Sequence, residues 1–155
     1  MVKQLTMMLV GIAGLAWLAV ATAAQEKADK ADTLAKEATE QFMKAMKAEN
    51  IDAIMKIVEV PYFWDGVKNI KDRDELKQGF AKIFAEKDLT QLEYTIKEVN
   101  NFATGQEQFS KKDRKLLNEI LDKDDRIVLV KLKRDGIAIA VRIRDGKANV
   151  AGFRD

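Results

Sequence analysis

Val60-Pro61-Tyr62-Phe63-Trp64-Asp65-Gly66-Val67-Lys68-Asn69-Ile70, followed at once by Asp72-Arg73-Asp74-Glu75-Leu76, is the stretch where this chain turns from helix to sheet. It holds the only proline, one of the two tryptophans and the densest cluster of aromatic side chains. Pro61 cannot continue a helix and pushes Val60 toward an extended conformation. Tyr62 to Ile70 therefore reads as a short strand, bent or bulged at Asp65-Gly66. Asp72 then opens a helix as a capping box, accepting from the backbone of Glu75 while Glu75 reaches back. Leu76, Phe80, Ile83 and Phe84 form the apolar stripe of that helix. Gly79 beside them marks a place where another element can approach closely.

Upstream, the chain reads as two helices. From Asp32, a candidate cap, Leu34, Ala38, Phe42, Ala45 and Met46 fall on one stripe. Asn50 suits the end of that helix and the start of a short second one, which turns Ile51, Ile54, Met55 and Val58 inward. Residues 25–31 are polar, a flexible leader with no core signal. The first 24 residues read as an export signal. Lys3 supplies the positive start, Met7 through Val20 the apolar run, and Ala21-Thr22-Ala23-Ala24 the small residues a signal peptidase needs. The run is short of the roughly 20 residues of a membrane span, so cleavage would leave no stable span. The chain has no cysteine to carry a lipid anchor. The mature protein is expected to be secreted or periplasmic.

Downstream, Leu92, Tyr94 and Ile96 alternate with Glu93, Thr95 and Lys97 as in a half-buried strand. Leu116, Leu117, Ile120 and Leu121 repeat at helical spacing behind Ser110, which predicts an inserted helix over 111–122. It would either pack on the sheet or close over a pocket. Three extended runs follow, Arg126 to Arg134, Ile137 to Arg144 and Lys147 to Phe153. They are joined by Asp135-Gly136 and Asp145-Gly146, read as two-residue hairpin turns. Such turns set Leu132 opposite Ile139, Val130 opposite Val141 and Val128 opposite Ile143. Across the second turn they set Val141 opposite Val150 and Ile143 opposite Ala148. All of these share the face that meets the core.

The opposite face carries Ile127, Leu129, Lys131, Lys133, Ala138, Ala140, Arg142, Arg144, Ala151 and Phe153. From Arg126 onward there are eight Lys or Arg against three Asp, so the closing sheet is locally basic. That face is either solvated or an association surface, since Leu129 and Phe153 would leave apolar ground among Arg142 and Arg144.

A chain of 155 residues allows a single domain, here 32–155. The net charge of +2 is too small to argue for nucleic acid. With neither cysteine nor histidine, thiol chemistry, disulfides, the usual zinc sites and histidine relays are excluded. No Asp-x-Asp-x-Asp-Gly loop suggests calcium, and no cofactor is implied.

Helix, Ala-Glu-Asn turn and short helix over Ala45 to Val58, then Asp65-Gly66, the capped helix Asp72 to Phe84 and the closing strands to Phe153 resemble the nuclear transport factor 2-like superfamily. The likeness is greatest to its SnoaL-like exported members and covers nearly all of the mature chain. It implies an α+β cone, a curved, mixed but mainly antiparallel sheet wrapped around three N-terminal helices, with the 111–122 helix as an insertion. It also implies an apolar pocket at the open end and a homodimer through the outer sheet face. Phe42, Met46, Tyr62, Trp64 and Tyr94 would line that pocket, with Phe80 and Phe84 as ordinary core. Enzymes of this superfamily place a carboxylate base on the strand after the second helix. Here the candidates are Asp65 and Glu59, although the family position falls nearest Phe63, and Asp65 before Gly66 reads more simply as a turn residue. Two functions stay open. One is non-catalytic binding of a small apolar ligand. The other is an isomerase, cyclase or dehydratase with Asp65 as base and Tyr62 or Tyr94 as hydrogen-bond donor. A pure association module working through the basic sheet face is a third.

Overall fold

The computed structural model describes residues 11–155, with side chains from Val20 onward. Lys3 and the start of the predicted export signal lie outside the described residues. By its contacts the chain divides into residues 1–30 and residues 31–155. In the first unit residues 11–30 are helical, Val20 is exposed, and Gln25 Nε2 donates to Asp29 Oδ1 at 2.8 Å. Among the described residues no helix is long and apolar enough to cross a membrane.

Helix α1 runs Gly11–Lys47 without a break, so the expected leader at 25–31 is helical. Asp32 is consequently not a cap. Its carboxylate instead accepts from Arg126 Nε on a distant strand. The apolar stripe is where the spacing put it, and Ala35, Ala38, Phe42, Met43 and Ala45 are buried. Glu49, at φ 51°, takes the left-handed position that ends α1. Asn50 caps α2 (Ile51–Ile57) by accepting from Ala53 N at 2.9 Å. Strands β1 (Val58–Trp64) and β2 (Lys68–Ile70) follow, then α3 (Arg73–Glu86). Asp72 Oδ1 accepts from Glu75 N at 2.8 Å as the capping box requires, but the Glu75 carboxylate pairs with Lys68 rather than reaching back.

After β3 (Tyr94–Asn101) the inserted segment forms α4 (Phe102–Gly105), a 3-10 turn and α5 (Lys111–Asn118). Ser110 caps α5, accepting from Asp113 N at 3.1 Å. Strands β4 (Arg126–Leu132), β5 (Gly136–Arg144) and β6 (Lys147–Arg154) close the chain. The sheet order is β2-β1-β6-β5-β4-β3, with β1 and β6 parallel and every other pair antiparallel. It is therefore α+β, mixed and mainly antiparallel. Bulges interrupt three of the pairings, and bulges bend a sheet. Pro61, which has no N–H to give, falls in the interrupted part of the β1–β6 ladder between Val58 and Phe63.

The second hairpin has the expected register, with Val141 opposite Val150 and Ile143 opposite Ala148. Asp145 and Gly146 both have positive φ, as a type I′ turn demands. The first hairpin is different. Val128 faces Ile139 and Val130 faces Ile137, a slip of four residues, and the loop is closed by Leu132 N donating to Asp135 O at 2.7 Å. An even slip leaves every side chain on its face, so alternation alone cannot tell the two registers apart.

The inner face of the sheet packs on α1, α2 and α3 around Val128, Val130, Ile139, Val141 and Val150. The outer face is the larger surprise. Phe63, Ile127, Ala140 and Ala151 on it are covered by Phe102, Phe109, Leu117, Ile120 and Leu121. The inserted segment is thus packed on the sheet, and the expected outer-face surface is interior at Ile127, Ala140, Arg142 and Ala151 but open at Lys131, Lys133 and Arg144. Arg142 is buried, donating to Ile120 O and Pro61 O, both at 3.1 Å, and pairing with Glu59 at 3.2 Å. Arg144 is tied to Asp122 and to the buried Asp125. Leu129 is half-buried against the same outer cluster. Phe153 lies on the other face altogether. The β5–β6 register shifts between Ala140 and Val141, so the outward count carried along β6 from Ala151 fails at Phe153, which packs on the inner core.

Candidate functional site

The aromatic residues singled out in the sequence do converge, but they meet one another. Tyr62 and Trp64 share a face with ring centroids 6.2 Å apart, and Phe80 stands edge-on to both at 5.9 and 5.3 Å. Phe153 closes the group, 6.4 Å from Tyr62 and 5.3 Å from Trp64, and Phe42 reaches Phe80 at 6.1 Å. Trp64 lies flat on α3 because residue 79 is glycine; a Cβ there would sit 2.8 Å from the indole. These edge-to-face contacts are the arrangement aromatic rings favour, and they fill the space between helices and sheet.

Room remains at the mouth. A cleft of about 130 Å³ lies between α1, the segment after α3 and the β4–β5 hairpin. Phe42, Met43 and Met46 form one wall, Leu92 and Leu132 another, and Ile137 and Phe153 the floor. Lys87 and Asp155 are its charged members. Of the five expected pocket residues, Phe42 and Met46 line this cleft, whereas Tyr62, Trp64 and Tyr94 do not. The hydroxyl of Tyr94 is engaged, donating to Glu40 Oε1 at 3.1 Å. Partial burial, that bond and the Glu40 charge together raise its pKa. Leu132 and Ile137 were legible as apolar, but a two-residue turn would have kept them apart from a mouth. Phe153 was misplaced by the bulge.

Both candidate bases are occupied. Asp65 sits in the β1–β2 turn at φ 43°, and its Oδ1 accepts from Arg154 Nη1 and from Asp155 N, each at 2.9 Å. Arg154 also donates to the buried Asp113 on α5 at 3.2 Å. Asp65 therefore fastens the end of β6 to the turn, and it does not line the cleft. Glu59 pairs with Arg142 and accepts from Asn149 Nδ2 at 3.3 Å. Among the described residues no cluster of three or more acidic side chains is placed to hold a metal.

Tyr62 is the exception to this pairing. It is fully buried and its hydroxyl has no protein partner; the hydroxyl of Thr39, buried on the core stripe of α1, is in the same position. Burial pushes the Tyr62 phenol well above its ordinary value near 10. A raised acid is held protonated in the fold while the unfolded chain ionises, so its contribution is intact below pH about 10 and falls as pH rises beyond that. In a Tyr94→Phe background, phenolate absorbance should appear only together with loss of near-ultraviolet dichroism, as the chain unfolds. Ionisation of the folded protein near pH 10 would show that Tyr62 is solvated.

The sheet is open, six-stranded and mixed, with α1, α2 and α3 on its inner face and the apolar cleft beside the β4–β5 hairpin. No family model and no curated protein matches the chain. Among solved structures the chain is similar to the designed protein Rd1NTF2_05 at 14% identity and a TM-score of 0.48, covering 77% of this chain and 94% of that one. It is also similar to an LEH-like epoxide hydrolase of M. tuberculosis at 14% identity and a TM-score of 0.38, covering 80% and 82%.

Proposed function

We propose that this chain is an exported, non-catalytic cone domain that binds a small apolar or amphipathic molecule at its mouth. The observation that carries this is the cleft itself, walled by Phe42, Met43, Met46, Leu92, Leu132 and Ile137. Its volume of about 130 Å³ is below the usual range for drug-sized ligands, roughly 300 to 1,000 Å³. It suits a single ring or a short alkyl segment; an apolar cavity of about 150 Å³ in another protein takes up benzene. Asp65 and Glu59 are held by Arg154 and Arg142, and an enzymatic role would first have to release one of them. Lys3, the apolar run from Met7 to Val20 and the alanines before Gln25 support export.

The test is a search by native mass spectrometry for a small molecule retained by the purified protein, with Leu132→Trp as the paired variant. An indole at that position should fill the cleft, abolish retention and leave the fold unchanged by circular dichroism. Retention undiminished in a folded Leu132→Trp protein would place the ligand elsewhere.

A further inference from the structure

We infer that Tyr62 is the polar anchor of this site, and that its ligand carries one neutral hydrogen-bonding group on an apolar body. The inference rests on the binding role proposed above and adds the chemistry of what is bound. A hydroxyl buried without a partner leaves its desolvation uncompensated, and a phenylalanine would fill the same volume without that cost. The neighbouring residue, Phe63, is such a phenylalanine. The Tyr62 ring nevertheless packs among Trp64, Phe80 and Phe153, and no side chain answers its buried hydroxyl.

One ring links Tyr62 to the cleft. Phe153 lines the cleft on one side and contacts the Tyr62 ring on the other. Its backbone is fixed, since Phe153 O accepts from Asp65 N at 3.0 Å, so it is by turning its side chain that Phe153 would open the cleft toward Tyr62. The group that then meets Tyr62 must be neutral. The rings around Tyr62 offer no counter-charge, and an ion desolvated there would be strongly disfavoured. An alcohol, phenol or carbonyl oxygen fits; a carboxylate would stay at the rim.

Phenol and toluene, equal in size and different in one polar group, serve as probes in calorimetric titrations of the full chain. Tyr62→Phe should weaken phenol binding about tenfold, the equivalent of one neutral hydrogen bond, and leave toluene binding unchanged. The ligand-free variant should melt no lower than the parent, because an unanswered hydroxyl has been removed. Phe153→Ala, which opens the route without touching Tyr62, should raise the affinity for phenol relative to toluene. Equal weakening of both probes by Tyr62→Phe, a lowered melting temperature of the ligand-free variant, or an unchanged ratio in Phe153→Ala would each overturn the inference. Failure of both probes to bind the parent protein would instead remove the binding role itself, and the anchor with it.

Discussion

Arg142→Ala is expected to lower the stability of the fold by about 3 kcal/mol, from two buried carbonyls losing their donor and the lost packing of the buried side chain. The guanidinium is almost wholly buried and spends its donors on three elements at once. Nε holds Ile120 O after α5, Nη2 holds Pro61 O in β1, and Nη1 pairs with Glu59. Without it two carbonyls are left with no donor, each costing on the order of 1 kcal/mol or more. Glu59 is 40% exposed at its side chain and can rehydrate, so the carbonyls and the lost packing account for most of the effect. Arg142→Lys should recover little, because an ammonium cannot reach three separated acceptors in one plane. Urea denaturation checks this through the midpoint, at an unchanged slope. A loss below about 1 kcal/mol would mean that the outer cover is not fastened through Arg142.

Gly152→Ala should be comparably severe, at or above about 3 kcal/mol, the upper end of what overpacking costs. A Cβ at residue 152 would lie 2.5 Å from Phe63 Cβ and 2.6 Å from Phe63 O. The second of these is backbone and cannot turn aside. The parallel β1–β6 pairing would have to open at the place where Phe63 faces Gly152. Gly146→Ala is the control. It has positive φ but open space around it, so only left-handed strain of about 1–2 kcal/mol is expected there. Equal losses at the two glycines would show that β6 does not lie against Phe63 as closely as described.

The elements of the fold were legible where a local signal was strong. Asp72, Asn50 and Ser110 each cap the helix that their position announced. Asp145-Gly146 makes its type I′ turn because both residues take positive φ. What failed was information that no local pattern contains. Asp135-Gly136 is the same dipeptide, yet it closes a longer loop, and a period of two cannot reveal a slip of four. The bulge beside Ala140 moved Phe153 from the outer face to the inner one, and with it a wall of the cleft. The basic outer face read as a surface because alternation shows where a side chain points and not what covers it. Leu117, Ile120 and Leu121 were seen as an apolar stripe, but only the fold shows that Ile127, Ala140 and Ala151 lie beneath it. The site was half legible for a similar reason. Phe42 and Met46 line it, whereas Tyr62, chosen as lining, is sealed behind Phe153.

The cleft can be read directly through its methionines. Met43 and Met46 line it, while Met55 packs against the inner core away from it. In protein carrying carbon-13 methionine methyl groups, titration with toluene should shift the Met43 and Met46 resonances saturably and leave Met55 in place. Shifts confined to Met55, or none at any of the three while toluene binds, would contradict a ligand site in this cleft.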